Sequence, residues 1–254
     1  MAESQLNQQN QTNLIEGRRI LIIGSDEAAR AELAQLFAGL SCEIKMLNNS
    51  SDALESLALP PRPDILILAS EASIMKTLPF IDQVSVQTDA TLPVFLVTNS
   101  IHTDTDIDEA FFRGVESVFF HPLQPEVFLR AINFALEMHG ENSTRQHRRR
   151  RIRRAKLEYL NESTGLTSSS YVMNISEGGM YVCSMYNHPE KLHRITFRIH
   201  RDGGGSKEIV GSGLVRWLRP SSELGRPPGF GVEFKQLDSQ ALQEIHAILD
   251  ANEK

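Results

Sequence analysis

From Arg18 onward, the first half of the chain alternates short apolar runs with amphipathic stretches. Ile20-Leu21-Ile22-Ile23 is apolar at every position, the pattern of a parallel strand buried on both faces. Asp26 then stands where a helix N-cap belongs, ahead of apolar positions Leu33, Leu36 and Phe37 at helical spacing. Cys42–Leu47, Asp64–Leu68, Val94–Val97 and Val118–Phe120 read as four further strands, and Pro125–Met138 as a closing helix. Five strands with helices between them predict an open, doubly wound α/β sheet.

The second half changes period. Ala155-Lys156-Leu157-Glu158-Tyr159 and Ile195-Thr196-Phe197-Arg198-Ile199 alternate apolar and polar residues, as half-buried strands do. Tyr171–Met173, Met180–Cys183, Ile209–Leu218 and Phe230–Phe234 complete about six strands, and Asp202-Gly203-Gly204-Gly205 is a hairpin signal. Leu242, Ile245, Ile248 and Leu249 then fall on one helical face, expected to cover one end of a small barrel. Trp217 is expected in the barrel core. The division is a disordered tail at 1–16, an α/β domain at 17–140, a linker at 141–153 and an all-β domain at 154–254. Gly140 is the expected helix stop.

Composition narrows the class. A length of 254 residues accommodates two domains, and 41% hydrophobic with 23% charged residues is that of a soluble globular protein. Residues 1–13 are polar and lack the apolar core of a signal peptide, and no run is long enough to cross a bilayer, so a cytoplasmic location is expected. The two cysteines, Cys42 and Cys183, fall in different domains and form neither a disulfide framework nor a metal motif. The net charge of −6 argues against a protein that binds nucleic acid over its whole surface. It also isolates one feature of opposite sign, the cationic stretch Arg145–Lys156.

Within that stretch lies Arg148-Arg149-Arg150-Arg151-Ile152-Arg153-Arg154, followed about twenty residues on by Asn174-Ile175-Ser176-Glu177-Gly178-Gly179. A guanidinium binds phosphate, or the O6/N7 edge of guanine, in bidentate fashion. Asn and Ser offer donors and acceptors to a base edge, and glycine lets a ligand approach backbone. These residues resemble the PilZ family of cyclic di-GMP receptors, whose motifs are Arg-x-x-x-Arg and (Asp/Asn)-x-Ser-x-x-Gly. Arg149/Arg153 and Arg150/Arg154 both satisfy the first spacing. The second pair is preferred, because in the family the later arginine directly precedes the first barrel strand. The resemblance implies that Arg150 and Arg154 bind phosphate and guanine, with Arg149 in support, and that Asn174, Ser176, Gly178 and Gly179 form the rest of the site. An arginine ahead of the motif, here Arg149, often accompanies two stacked ligand molecules. No metal, further cofactor or catalytic constellation is expected.

The first domain resembles the response-regulator receiver, with informative departures. The phosphoacceptor position at the end of the third strand is Ala69, and the acidic pair after the first strand is replaced by Gly24 and Ser25, with Asp26 the neighbouring acid. Asp64 is the nearest preceding acid but stands at the start of the strand, the wrong end for the site, and Glu71, two residues past Ala69, is the alternative acceptor. Lys-Pro becomes His121-Pro122, with His121 structural and its peptide bond a candidate for cis; the aromatic switch position is Val118, and Thr98 keeps its hydroxyl. A receiver-like fold without phosphorylation is therefore expected. Phe111, Phe112, Phe119, Phe120 and Phe128 are expected to be mostly core, with one or two on an association surface for a protein partner or a second copy. The resulting expectation is a non-enzymatic cyclic di-GMP effector controlling motility, adhesion or development, in which ligand binding to a mobile arginine linker fixes the interdomain angle. A ligand-free scaffold is the alternative, and a nucleic-acid binder a weaker one.

Overall fold

The computed structural model describes residues 14–88, 92–139, 150–152, 154–184, 188–201, 208–220 and 227–250. The first domain contains β1 (Arg19–Ile23), α1 (Glu27–Phe37), β2 (Glu43–Leu47), α2 (Ser50–Ala58), β3 (Ile65–Ser70), α3 (Ile74–Gln87), β4 (Val94–Thr98), α4 (Asp104–Phe112), β5 (Val115–Phe120) and α5 (Pro125–His139). Its strands are parallel in the order β2-β1-β3-β4-β5, the flavodoxin-like doubly wound arrangement that receivers share. The apolar runs are explained by two cores. Ile20, Ile22, Ile65, Ile67, Phe95 and Val97 face one side of the sheet, with Phe37 and Phe128. Their neighbours Leu21, Ile23, Leu66, Leu68, Val94 and Leu96 face the other, with Leu57, Leu78 and Ala110.

Local chemistry starts the helices, at Asp26 where the sequence reading places a cap and at two further caps. The Asp26 carboxylate accepts from Ala29 N at 2.9 Å, Asn49 caps α2, and Thr103 forms a reciprocal capping box with Asp106. Residues 14–16, assigned to the tail from sequence, belong to the fold instead. Ile15 is fully buried in the first core, and Leu14 N donates to Asn133 Oδ1 of α5. Residues 1–13 lie outside the described residues.

The second domain contains β6 (Arg150–Arg151), β7 (Ala155–Asn161), β8 (Leu166–Ser176), β9 (Gly179–Cys183), β10 (Arg194–Arg201), β11 (Ile209–Arg219), β12 (Gly229–Leu237) and α6 (Ser239–Asp250). The six longer strands run β8-β7-β10-β11-β12-β9, and β9 pairs back with β8 to close an antiparallel barrel. Leu157, Phe197, Val215 and Phe230 fill it, and Ala241, Ile245, Ile248 and Leu249 of α6 plug one end. Leu242, placed on that face from sequence, is exposed; Ala241 takes its place.

Arg150 and Arg151, assigned to the linker, pair with Ile175 and Asn174 as a short antiparallel strand. Gly140, Arg145 to Arg149, Arg153 and the Asp202–Gly205 turn lie outside the described residues. Trp217 is not in the barrel core. A bulge between Val215 and Trp217 shifts the register and turns the indole outward, where it stacks on Tyr181 with ring centres 5.1 Å apart.

Candidate ligand site at the domain interface

The barrel presents an apolar patch to the first domain. Met173, Tyr181 and Cys183, with Trp217 beside them, pack against Phe111 of α4 and against Ile107 and Val118. Phe112 lies on Tyr171, ring centres 4.9 Å apart. Arg219, at the end of β11, places its guanidinium over Tyr181 (4.8 Å), Trp217 (5.2 Å) and Phe134 of α5 (5.3 Å). Two of the phenylalanines considered for an association surface face the chain's own barrel. Phe111 and Phe112 lie there, Phe119 and Phe128 are core, and Phe120 is partly exposed and stacks on His102.

The glycine-containing motif sits beside this interface. A second bulge, between Val172 and Asn174, sets the facing of the motif strand. Asn174 is buried, and its Oδ1 has no hydrogen-bond partner among the described residues. Ser176 Oγ donates to the Gly179 carbonyl at 3.1 Å, so the hydroxyl shapes the turn. Glu177 reaches His246 of α6 at 3.5 Å, and the Gly178 carbonyl accepts from Phe234 N. At Gly179 a Cβ would lie 2.2 Å from the Val232 carbonyl oxygen, so close strand approach already demands glycine there.

Ile152 is buried in the barrel core and its N–H donates to the Met173 carbonyl. The arginines on either side diverge. Arg150 shares the face of Ile152 and donates to the Leu249 carbonyl at the end of α6, 3.2 Å away. Arg151, paired across the sheet with Asn174, points at the first domain. There it donates to the Val115 carbonyl at 3.0 Å and meets Glu116 at 3.3 Å, with both side chains nearly buried (7% and 11% exposed). Arg154 has a positive φ of 52° and its N–H donates to the Phe112 carbonyl. Its guanidinium meets Asp82 of α3 at 2.5 Å, and Asp82 also pairs with Arg113. Of the arginines assigned to ligand, the structure therefore brings Arg150 to α6 and Arg154 to the receiver-like domain, and Arg149 lies outside the described residues. The arginine beside Asn174 is Arg151, which the motif spacing did not single out.

Arg151, Asn174, Glu116, Ser117, Phe134 and Tyr181 surround a cavity of about 20 Å³. That is room for about one water and not for a dinucleotide. Burial sets the titration of nearby groups. It raises the Cys183 thiol far above its ordinary value. It also raises the Asp108 carboxyl, with the Asp104 charge adding to the effect. Tyr171, which faces Asp108 and Glu109, is raised by burial and by those two charges.

The phosphoacceptor region of the first domain is closed by backbone. At Gly24, φ is 152° and a Cβ would stand 1.6 Å from the Ala69 carbonyl oxygen. Asp26 is spent on the helix cap, Thr98 bonds Ser100 at 2.9 Å, and His121, after which the bond to Pro122 is cis, meets Glu32 at 3.1 Å. Among the described residues, no cluster of His, Cys, Asp or Glu could hold a metal ion, and no helix is long and apolar enough to cross a membrane.

The PilZ domain family matches residues 143–251. The C-terminal domain is a PilZ domain. Such a domain implies a cyclic di-GMP-binding effector. Comparison with curated proteins gave no match. Among solved structures, a CheY-like receiver domain protein from Methanospirillum hungatei is 16% identical, over 49% of this chain and 97% of that one, with a TM-score of 0.42. The receiver domain of an HD-domain protein from Pseudomonas fluorescens is 22% identical, over 49% and 98%, with a TM-score of 0.43. The Bacillus subtilis Inhibitor of motility is 15% identical, over 43% of this chain and 53% of that one, with a TM-score of 0.35. The N-terminal domain has a receiver-like fold, and the PilZ domain follows it in the chain.

Proposed function

We propose that this protein is a non-enzymatic cyclic di-GMP effector whose PilZ domain takes the ligand through the arginine segment and the Asn174 motif, and that binding changes how the PilZ and receiver-like domains meet. The observation that supports this best is the buried Oδ1 of Asn174, without a hydrogen-bond partner among the described residues, on a strand directly paired with an arginine. A buried acceptor left unmade is unfavourable by about 1–3 kcal/mol, and the amine or imino edge of a guanine supplies the missing donor. The residues fit a dinucleotide in type: arginines for the two phosphates, Asn174 for a base. The space between the domains does not fit it, so binding on this face requires them to part. Arg150 and Arg154 are the main ligands, Arg149 supports them, and Ser176, Gly178 and Gly179 shape the turn. The output is proposed to be protein docking in the control of motility, adhesion or development, from the cytoplasm, with no phosphorylation of the receiver-like domain.

The test is calorimetric titration of the full chain with cyclic di-GMP, beside Arg154→Ala. Losing one bidentate arginine is worth about 1–3 kcal/mol, so the variant should bind at least about tenfold more weakly while its barrel melts normally. Equal affinity would remove Arg154 from the site. One observation favours a second reading: Arg151 and Arg154 already hold carboxylates, as a scaffold without ligand would have them. Absence of any binding heat would select that reading. A steep salt dependence with duplex DNA, and no preference for the dinucleotide, would instead select nucleic-acid binding.

A further inference from the structure

Two acids of the receiver-like domain hold two arginines of the cationic segment. Asp82 stands on α3, and Glu116 on β5, 34 residues later in the chain. They meet Arg154 and Arg151, which flank the core-anchored Ile152. A carboxylate offers a guanidinium two oxygens in a plane, the same fork that a phosphate offers. The Val115 and Phe112 carbonyls complete the capture by accepting from Arg151 and from the Arg154 N–H. The aromatic cage of Arg219 and the apolar patch hold the same two surfaces together. The cavity beside Asn174, about 20 Å³, has no room for a dinucleotide while this contact holds.

We propose that Asp82 and Glu116 are a built-in competitor for the cyclic dinucleotide: they hold Arg154 and Arg151 in a closed, low-affinity state, and ligand takes those arginines only as the receiver-like domain lets go. This rests on the reading of the PilZ domain as a cyclic di-GMP site. It adds the direction of control, since the receiver-like domain opposes binding and is released by it. It also makes Arg151 a ligand residue in the open state.

The contest has a distinctive sign, because removing acids that touch no ligand should tighten binding. The Asp82–Arg154 pair is partly exposed, so solvent screens it and its contribution is small. The nearly buried Glu116 pair is worth more, although discharging it leaves Arg151 with the Val115 carbonyl as its partner among the described residues. Together Asp82→Asn and Glu116→Gln should raise cyclic di-GMP affinity about tenfold. The experiment titrates the full chain, both single variants and the double variant with cyclic di-GMP. It also measures the rate at which a thiol reagent modifies Cys183 in a Cys42→Ser background. Cys183 lies in the apolar patch, so its trapping rate reports parting of the domains even without ligand.

The expected result is tighter binding and faster Cys183 trapping in the double variant, with ligand accelerating trapping in the parent. If the parent binds and the double variant binds equally or more weakly, the competitor is refuted and the PilZ reading stands. If neither binds, both fall together. Should Glu116→Gln fail to fold, Asp82→Asn alone decides: unchanged or weaker binding and unchanged trapping overturn the proposal.

Discussion

Replacing Arg219 with alanine should loosen the two domains without unfolding either. The side chain is buried, with its guanidinium about 5 Å from three ring centres, two on the barrel and one, Phe134, on α5. A desolvated cation–π contact is worth about 2 kcal/mol, and burial of the aliphatic stem adds about 0.8 kcal/mol per methylene. Relief from burying a charge offsets part of this. The net loss is then about 3 kcal/mol, roughly a hundredfold in the equilibrium between docked and parted domains. Two reporters lie within the contact. Trp217 is the sole tryptophan of the chain, and Cys183 is a buried thiol whose pKa is held high by desolvation. Arg219→Ala should shift Trp217 emission to longer wavelength and speed Cys183 modification about a hundredfold. Far-ultraviolet circular dichroism should stay unchanged. If both reporters match the parent, Arg219 does not hold the domains together and the energetic reasoning for this interface is wrong.

Asp108 carries a pH signature. Its carboxyl pKa is raised, so the folded chain binds that proton more tightly than the unfolded chain does. The associated stability is fully present below the unfolded pKa of about 3.9, and is lost as pH rises through the folded value. Asp108→Asn should therefore raise Tm at pH 7, with the gain fading on acidification; a lower Tm at pH 7 would contradict the assignment. Incubation with acetyl phosphate and magnesium should leave the receiver-like domain unlabelled, Glu71 included, and a phosphorylated species by mass spectrometry would overturn that reading.

The fold could be read from the chain because its determinants are local. Apolar runs such as Ile20–Ile23 specify strands covered on both faces, and Asp26 marks a helix start. The motif strand was legible for the same reason. The docking of the domains was not, since Arg154 with Asp82 and Arg219 with Phe134 join residues 72 and 85 positions apart with no periodic signal. Trp217 and Asn174 were displaced from a simple alternation by bulges, and one extra residue in a strand reverses the side to which its successors point. Ile15 was missed because two apolar residues in a polar tail fall short of any pattern.

The burial of Ile152 has a mechanical consequence. The arginine segment is nailed to the barrel at its middle, by a side chain worth roughly 2 kcal/mol and by the bond to Met173. It cannot drift as a loose rope while that nail holds. On one side of the nail Arg154 holds the receiver-like domain, and on the other Arg150 touches the last turn of α6, so a few residues tie the neighbouring domain to the helix that closes the barrel.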